Sequence, residues 1–526
     1  MIIPIHTREW NGMASDYGRS LYNDYETLLL KYEKIAEENK ILKKEHALLE
    51  QERRLRQKLE KELSGKSREI EALKKEILRL NGFLNTDGNN SGLPTSQTPI
   101  RKKKRVPNSR EKSGRPVGGQ PGHPQARLER FDEEEVTEHV EHPLDACPEC
   151  GGKMEALEDD LEKDELDYEV VVVKKRHHFR SFRCKDCGQT YRQAVPGHLK
   201  EENQYGGGAK SLMLLLMNTG NVSVNKVRKM ICGLSQGEMN PSEGYIIKQQ
   251  KKAALALEGF LEDLKQELLR LDILFWDDTV IMVSTARGCL RFYGNEALAL
   301  YKAHQHKNKE GIDNDGILPL LPAETTVMHD HNKVNYNEAY SFSNIECNAH
   351  LLRDLQKIAD NLPDHQWPGD LKGLINEANK ARAEAEERGE GSFDDGYVEG
   401  FFRTFNRIML KAIEENKGED NYYGNEERKL INRITDYKDN YFAWVTNFEF
   451  PFTNNLSERS LRGAKSKMKI SGQFQTIEYA GHYAAIKSYI ETCYRNGINE
   501  HTALRRLCEG NPYTVSEILA GSAKKE

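Results

Sequence analysis

The segment that most constrains the fold is residues 271–283 (LDILFWDDTVIMV), an apolar run with two adjacent carboxylates, Asp277 and Asp278, at its centre. A run of this length, rich in Ile, Val, Phe and Trp, is typical of a buried strand in a sheet covered on both faces. Buried carboxylates are costly, so they usually serve metal binding or catalysis. Because strand side chains alternate between faces, only one aspartate faces a given site. The alternative is that the pair opens a turn.

Length and composition favour a protein of several domains without a membrane segment. The chain has 526 residues, of which 30% are charged and 37% hydrophobic, and its formal net charge is −6. Affinity for nucleic acid must therefore come from local clusters of basic residues. The apolar runs are too short to span a bilayer, and the N-terminus lacks a signal-peptide pattern. We expect a cytoplasmic protein with no membrane partner.

Residues 1–84 are expected to form an N-terminal coiled coil. Apolar side chains recur every seven positions, with Arg56 as the one interruption, which is typical of helices that pair along a seam. Asn39 lies in the second seam, where a polar residue fixes register and favours two strands. The pattern predicts a homo-oligomer; a solvated single helix or an intramolecular hairpin is the alternative. The heptad positions are Leu21, Leu28, Ile35, Leu42, Leu49, Leu63, Ile70, Ile77 and Leu84.

Residues 85–128 are a Pro- and Gly-rich linker with a basic cluster. The stretch 85–99 has almost no large apolar residue, which predicts flexibility. In residues 101–116 basic side chains far outnumber acids, and such a block usually binds phosphates without reading base sequence. A merely solvated charge run is the alternative. The expected DNA-binding residues of this cluster are Arg101, Lys102, Lys103, Lys104 and Arg105.

Two Cys-x-x-Cys pairs predict a zinc-binding domain over residues 129–200. Each pair is followed by glycine, and a tight turn of this kind presents two thiolates to one ion. Two such knuckles complete a four-cysteine Zn²⁺ site, whereas a redox motif uses one pair. Redox-active or incidental cysteines are the alternative. The expected ligands are Cys147, Cys150, Cys184 and Cys187.

The remaining chain has alternating helical and strand patterns. In residues 201–265 two short helices joined near 235–240 predict either a DNA-binding helix-turn-helix or a simple packed pair. Residues 266–475 are expected to form the catalytic domain, whose second short apolar run ends in Asp330. A charged, helix-rich insertion is expected at about 363–440, and a helical region at 476–526.

A third carboxylate, Glu458, begins a helix that has a basic face. Asn455 is a suitable N-cap three residues earlier, so a capping box alone would explain Glu458. However, the spacing i, i+4, i+7 and i+11 puts Glu458, Arg462, Lys465 and Lys469 on one helix face. A carboxylate at the head of a basic stripe suits metal-dependent chemistry on a phosphate backbone.

Two aspartates on strands and a glutamate on a later helix form a recognised kind of metal site. Ribonuclease H-like sheets carry metal-binding aspartates on neighbouring strands in this way. Asp277, Asp330 and Glu458 together would hold two Mg²⁺ (or Mn²⁺) ions for in-line phosphoryl transfer.

The order of these features resembles the DDE transposases of the insertion sequence 66 family, from about residue 20 to the C-terminus. The most specific pieces are the GGQPGH segment within residues 114–124 and the Asn-Asn-x-x-Glu-Arg motif at 454–459. Asp277 corresponds to the first residue of the family's Asp-Glu-Thr motif, although Asp278 replaces its glutamate. Asp330 corresponds to the aspartate of Asp-Gly-Tyr, with two changed neighbours. The family's Cys-Trp-Ala-His pattern is Cys-Asn-Ala-His here, at 347–350.

The resemblance implies a multidomain α/β protein. Its ribonuclease H-like catalytic core would carry the helical insertion and follow the long coiled coil and the four-cysteine zinc module. Asp277, Asp330 and Glu458 would be catalytic and would bind Mg²⁺. The reaction would be hydrolysis at transposon ends to free 3′-hydroxyls, followed by attack on target DNA, with accessory proteins of the same element as partners. Further expected DNA-binding residues are His350, Arg353, Arg459, Arg462, Lys465 and Lys469.

Two other functions stay open on the sequence alone. The first is a catalytically inactive or domesticated transposase that acts as a DNA-binding protein through its zinc module and coiled coil. The second is a nuclease without strand transfer, which would use the same residues. The three intact carboxylates favour an active enzyme.

Overall fold

A computed structural model describes residues 16–84, 128–155 and 161–522. The chain divides into two units, one of the first helix with residues 418–426 and one of the remaining chain. The predicted basic cluster at 101–105 lies outside the described residues. Among the helices that the structure describes, none combines the length and apolar character needed to cross a bilayer.

The N-terminal segment is one long helix, α1 (Asp16–Leu84). It is dominated by Leu, Glu, Lys and Arg, which are strong helix formers. The heptad side chains from Leu21 to Ile77 are exposed along the helix, with Leu28 at 69% and Leu63 at 70%. Arg56, which interrupts the heptad, pairs with Glu52 at 2.9 Å across one turn. The predicted helix is therefore confirmed, while its pairing with a second helix stays a prediction.

The cysteine-containing segment has little regular structure apart from its turns. The backbone N–H of Cys147 donates to the Gly152 carbonyl at 2.9 Å, and that of Cys184 donates to the Gln189 carbonyl at 2.8 Å. The glycine after each pair has a φ of 71° or 72°, a region that favours glycine. Both pairs thus lie in tight turns. The second turn joins two antiparallel strands, β1 (Ser181–Arg183) and β2 (Thr190–Arg192).

Four helices precede the central sheet and form a small helical layer. The apolar faces of the first three meet in a cluster that includes Met213, Val227 and Ile246, whereas the fourth buries its apolar face in the core beside the sheet. Inside this layer the side-chain amides of Asn218 and Gln250 bond to each other at 3.0 and 2.9 Å. The helices are α2 (Gly207–Asn218), α3 (Val224–Leu234), α4 (Glu243–Leu255) and α5 (Glu258–Leu268). The pair α3 and α4 corresponds to the two short helices predicted within residues 201–265. Whether they act as a DNA-binding helix-turn-helix stays a prediction.

The central sheet has five strands in the order β5-β4-β3-β6-β7. The first three pair antiparallel, and β6 and β7 extend the sheet in parallel to β3. The strands are β3 (Ile273–Val283), β4 (Ala286–Gly294), β5 (Ala299–His304), β6 (Thr326–His329) and β7 (Ser343–Glu346). The apolar run at 271–283 therefore forms the middle strand of a mixed α/β domain.

Helices cover most of the sheet and close its β5 edge. Of the helices that follow the antiparallel strands, α12 (Asn455–Ser471) and α13 (Ile477–Arg495) pack directly on the sheet. The others of this part are α6 (Lys309–Asp315), α7 (Asn348–Asn361), α14 (Glu500–Cys508) and α15 (Val515–Ser522). Ser488 Oγ of α13 accepts from the Tyr301 backbone N–H at 2.8 Å, which satisfies a polar group of the edge strand. Val280 and Met282 are exposed at the far end of β3. The expectation of a strand covered on both faces is therefore wrong at that end, where the described part of the chain leaves these two side chains exposed.

A helical subdomain separates α7 from α12. It comprises α8 (Trp367–Glu387), α9 (Asp395–Glu415), α10 (Tyr422–Asp436) and α11 (Lys438–Thr446). It packs with α7 around Trp367, Phe405 and Trp444. Buried Glu427 accepts from Trp367 Nε1 at 2.6 Å and Asn416 Nδ2 at 2.6 Å, so its polar atoms are satisfied inside this core. These helices occupy the stretch where the helix-rich insertion was expected.

Candidate active site

Two of the three predicted carboxylates come from neighbouring strands. Asp277 lies inside β3, and Asp330 directly follows β6. The two strands pair in parallel with Phe275 opposite Met328. Continuing this register by two residues brings Asp277 beside Asp330. The charge on Asp330 is one of the causes of the raised pKa of Asp277, which agrees with their proximity.

Asp277 and Asp278 point in different directions, as the strand geometry requires. Asp278 is paired with Lys307 of the loop after β5, whose Nζ lies 2.5 Å from Oδ1. The backbone N–H of Asp278 donates to Asp277 Oδ1 at 2.7 Å. Both residues lie well inside β3, opposite Phe292 and Arg291 of β4. The alternative in which this pair opens a turn is therefore wrong.

Glu458 lies in the first turn of α12, and Asn454 fixes where this helix begins. Asn454 is the N-cap residue, one position before the predicted Asn455, and its side chain makes no cap hydrogen bond. Instead, its Nδ2 donates to the Trp276 carbonyl at 3.0 Å, and its backbone N–H contacts Cys347 Sγ at 3.2 Å. These contacts fasten the start of α12 to β3 and to the start of α7. The capping-box explanation of Glu458 is wrong, because its carboxylate faces α7.

His350 and Arg353 of α7 join the carboxylates into one cluster. His350 Nδ1 lies 3.0 Å from Asp330 Oδ1, and its Nε2 lies 3.7 Å from Glu458 Oε1. Arg353 Nη2 lies 3.5 Å from the same Glu458 oxygen. His350 occupies the third position of α7 and Arg353 lies one turn on, so both side chains point from one helix face. Asp330 and Glu458 are thus bridged by a single imidazole.

The surroundings of the cluster shift the pKa values of Asp277 and Asp330 in opposite directions. Burial, and then the charges of Asp330 and Asp278, raises the pKa of Asp277 to about 8. Burial also opposes ionisation of Asp330, but the hydrogen bond and charge of His350 outweigh it and hold the pKa of Asp330 below its ordinary value. Burial lowers the pKa of His350, yet its contacts with Asp330 raise it overall. Arg353 Nη1, 3.1 Å from Nε2, limits this rise because a guanidinium donates only to a neutral imidazole.

The donor set fits a divalent cation. Asp278 Oδ2 is inaccessible to solvent and makes no hydrogen bond within the described chain, and the equally inaccessible Asp330 Oδ1 has no hydrogen-bond partner there beyond its contact with His350. Burial and the charges of Asp330 and Asp278 oppose ionisation of the Asp277 carboxyl more strongly than His350 favours it, so its pKa is raised. Carboxylate oxygens are the ligands that Mg²⁺ prefers, and like-charged carboxylates close together become favourable once a cation lies between them. Asp277, Asp330 and Glu458 offer such oxygens.

The basic side chains expected on α12 lie beside this cluster. Arg462, Lys465 and Lys469 are all exposed. Arg459 is also exposed and lies 3.6 Å from Glu296. Because the three residues at i+4, i+7 and i+11 share a helix face with Glu458, the face continues from the cluster along α12 as a basic stripe.

The four knuckle cysteines do not meet in one place. Within the described ranges, the one group of three or more ligand residues whose donor atoms lie within 4.8 Å of each other is Asp330, Cys347 and His350. Hydrogen bonds within each turn, from the backbone and thiol of the second cysteine, lower the pKa of Cys147 and Cys184. Each turn therefore favours thiolates, while a shared four-cysteine site stays a prediction.

Two residues of the site were missed from the sequence. Asn454 was part of the recognised Asn-Asn motif, but its role in fastening α12 to β3 depends on contacts across 107 and 178 residues of chain. Lys307 lies in a polar stretch, HKNKE, which has no pattern that distinguishes it from an exposed loop. The doublet Asn454-Asn455 was a usable signal; Lys307 had none.

Comparison with known proteins identifies the domain that holds this cluster. Residues 233–482 match the family model described as Transposase IS66 family. The matched stretch contains the whole five-stranded sheet, the helical subdomain and α12, and hence Asp277, Asp330 and Glu458. No curated protein sequence matches the chain. Residues 233–482 of this chain belong to the IS66 family of transposases.

Proposed function

We propose that the protein is a DDE transposase that cleaves DNA at transposon ends and joins the freed 3′-hydroxyls to target DNA. The observation that carries this proposal is the convergence of Asp277, Asp330 and Glu458 within the IS66-matching domain. The order of the five strands and the change from antiparallel to parallel pairing at β3 support a ribonuclease H-like core.

Asp277, Asp330 and Glu458 would hold the divalent ions, Mg²⁺ or Mn²⁺. When bound, such ions supply activation of the attacking oxygen and stabilisation of the leaving oxygen in phosphoryl transfer. The protein's own contribution is to hold the three carboxylates in fixed positions. Asn454 does so for the start of α12, and the strand pairing of β3 with β6 does so for the two aspartates.

His350 and Arg353 act as positioning residues in this proposal. Their contacts to Asp330 and Glu458 orient both carboxylates and balance part of the negative charge. Lys307 does the same for Asp278. Because a buried, like-charged cluster repels itself, the charges of Arg353 and Lys307 keep the site compact before any ion binds.

DNA would lie along the basic face of α12. Arg459, Arg462, Lys465 and Lys469 are exposed and follow Glu458 along the helix, so they can contact phosphates on the path of the strand into the site. His350 and Arg353 lie at the end of that path. The basic cluster at 101–105 would add contacts that do not depend on base sequence.

The remaining segments would assemble the complex. The exposed apolar seam of α1 would pair with α1 of a second copy, because an uncovered stripe of leucines is unfavourable in water. Zn²⁺ would draw the turns at Cys147-Cys150 and Cys184-Cys187 together into one site. Accessory proteins of the same element are the further expected partners.

Glu458→Gln tests the assignment of the third carboxylate. Gln keeps the size of the side chain and removes its charge, so strand transfer with Mg²⁺ or Mn²⁺ should fall by about 10²-fold or more. The matched control is Glu449→Gln, which changes an exposed glutamate between α11 and α12 and should leave strand transfer unchanged. Equal strand transfer by Glu458→Gln and wild type would remove Glu458 from the proposed site.

A further inference from the structure

Cys347 is a buried thiol beside two of the active-site residues. Its side chain is 1% exposed, and it is the N-cap of α7, directly after β7. His350 lies three residues on, so both side chains project from the first turn of one helix. Asp330 approaches from the end of β6. The three donor atoms, a thiol sulfur, an imidazole nitrogen and a carboxylate oxygen, all lie within 4.8 Å of one another.

The two polar members of this group have unused binding capacity. His350 Nδ1 and Asp330 Oδ1 face each other at 3.0 Å, both atoms are inaccessible to solvent, and neither makes a further hydrogen bond within the described chain. Buried polar atoms normally have a partner. A cation between the three donors would satisfy both atoms.

The chemistry of the donors selects the type of ion. Thiolate and imidazole favour Zn²⁺ and other thiophilic divalent ions, whereas Mg²⁺ takes oxygen ligands and avoids sulfur. Zn²⁺ holds such donors at about 2.0 to 2.3 Å, which the three side chains reach by closing inward on one point. Arg353 Nη1 lies 3.1 Å from His350 Nε2 and so orients the imidazole with its Nδ1 toward Asp330.

We propose that Asp330, Cys347 and His350 form a three-ligand site for Zn²⁺ or a similar thiophilic divalent ion, with the fourth coordination position open. The side chains of Asp330 and His350 are partly exposed, which gives the ion a path from solvent. The site is distinct from the two cysteine turns, because it shares none of their residues.

One consequence follows for catalysis, and it rests on the proposed function. Asp330 would serve both the thiophilic ion and the Mg²⁺ pair, so the two uses compete. An Asp330 carboxylate that holds Zn²⁺ together with Cys347 and His350 would be less available to Mg²⁺ beside Asp277. Raising Zn²⁺ at constant Mg²⁺ should therefore inhibit strand transfer.

Zinc content tests the site without any activity measurement. After equilibration with excess Zn²⁺ and desalting, Cys347→Ser should hold one equivalent of zinc less per chain than the wild type. Cys493→Ser is the matched control, because Cys493 is equally buried and belongs to the core under β5; it should match the wild type. The difference does not depend on how much zinc the cysteine turns bind. Equal zinc content in the wild type and Cys347→Ser would overturn the proposal.

A second measurement covers the case in which Cys347→Ser fails to fold. A chain with all four turn cysteines replaced by serine keeps Cys347, and Co²⁺ bound to its thiolate should give a sulfur-to-cobalt charge-transfer band. Absence of that band would equally overturn the proposal. In strand-transfer assays, Cys347→Ser should need at least roughly tenfold more Zn²⁺ for half-inhibition, each protein being normalised to its own zinc-free rate. If no strand transfer occurs at all, the proposed function fails while the zinc difference still decides this site.

Discussion

Mg²⁺ binding to the active site should be strongly dependent on pH because of Asp277. In the metal-free protein the pKa of Asp277 is raised to about 8 by burial and by the charges of Asp330 and Asp278. A metal-binding carboxylate must be ionised, so binding below pH 8 has to release a proton. The affinity for Mg²⁺ should therefore rise as the pH rises toward 8 and level off above it.

The size of the effect follows from the fraction of ionised Asp277. One pKa unit corresponds to about 1.4 kcal/mol, so at pH 7 the ionised form costs about 1.4 kcal/mol and at pH 6 about 2.7 kcal/mol. Between pH 6 and pH 9 the apparent affinity for Mg²⁺ should therefore rise by up to about 90-fold. Asp277 retains some exposure, which makes this value an upper bound.

Titration calorimetry in two buffers of different ionisation enthalpy measures the affinity for Mg²⁺ and the number of protons released per ion bound. At pH 7 about 0.9 proton should be released per ion bound. Asp277→Asn should bind Mg²⁺ weakly and without this pH dependence. Asp272→Asn, which removes an exposed aspartate next to the same strand, should behave as the wild type. An affinity that is flat from pH 6 to pH 9, with no proton release, would refute the reasoning.

Two further predictions concern the core and the long helix. Arg291→Leu leaves the buried carboxylate of Asp315 without its ionic partner and should lower the free energy of unfolding by about 3 to 5 kcal/mol in urea titrations. Arg287→Leu changes an exposed arginine and should alter the free energy of unfolding little. An equal change in both variants would contradict this prediction. Leu42→Lys with Leu49→Lys should convert the protein to monomers in light scattering, because each buried leucine contributes about 1.5 to 3 kcal/mol. Gln51→Lys, on the opposite helix face, should not; a mass unaffected by the double substitution would argue against pairing through this seam.

The parts of the fold that local patterns determine were predictable from the sequence. The apolar run around Asp277 predicted a strand, and the heptads predicted α1, because burial and helix propensity act over neighbouring residues. The same reasoning misjudged the far end of β3, where Val280 and Met282 are exposed. Whether a face is covered depends on the arrangement of distant helices, which a strand pattern does not contain.

Individual residues of the candidate site were likewise predictable only where a local sequence pattern marks them. Asp277 stood out because an apolar run gives it an unusual setting. The start of α12 was misplaced by one residue, since Asn454 and Asn455 are both good N-cap residues and contacts to Trp276 and Cys347 decide between them. The pairing of Lys307 with Asp278 joins a loop to a strand and has no local signature.

Strand transfer by the wild type and Asp277→Asn tests the central claim most directly. The assay joins a labelled transposon-end duplex to plasmid DNA with Mg²⁺ or Mn²⁺, in the presence of any accessory proteins of the element. The wild type should give joined product, and Asp277→Asn should bind the same duplex but give none. Equal joining by both proteins would contradict the assignment of Asp277. Specific end binding by the wild type without cleavage or joining would contradict the proposed activity and leave a DNA-binding protein.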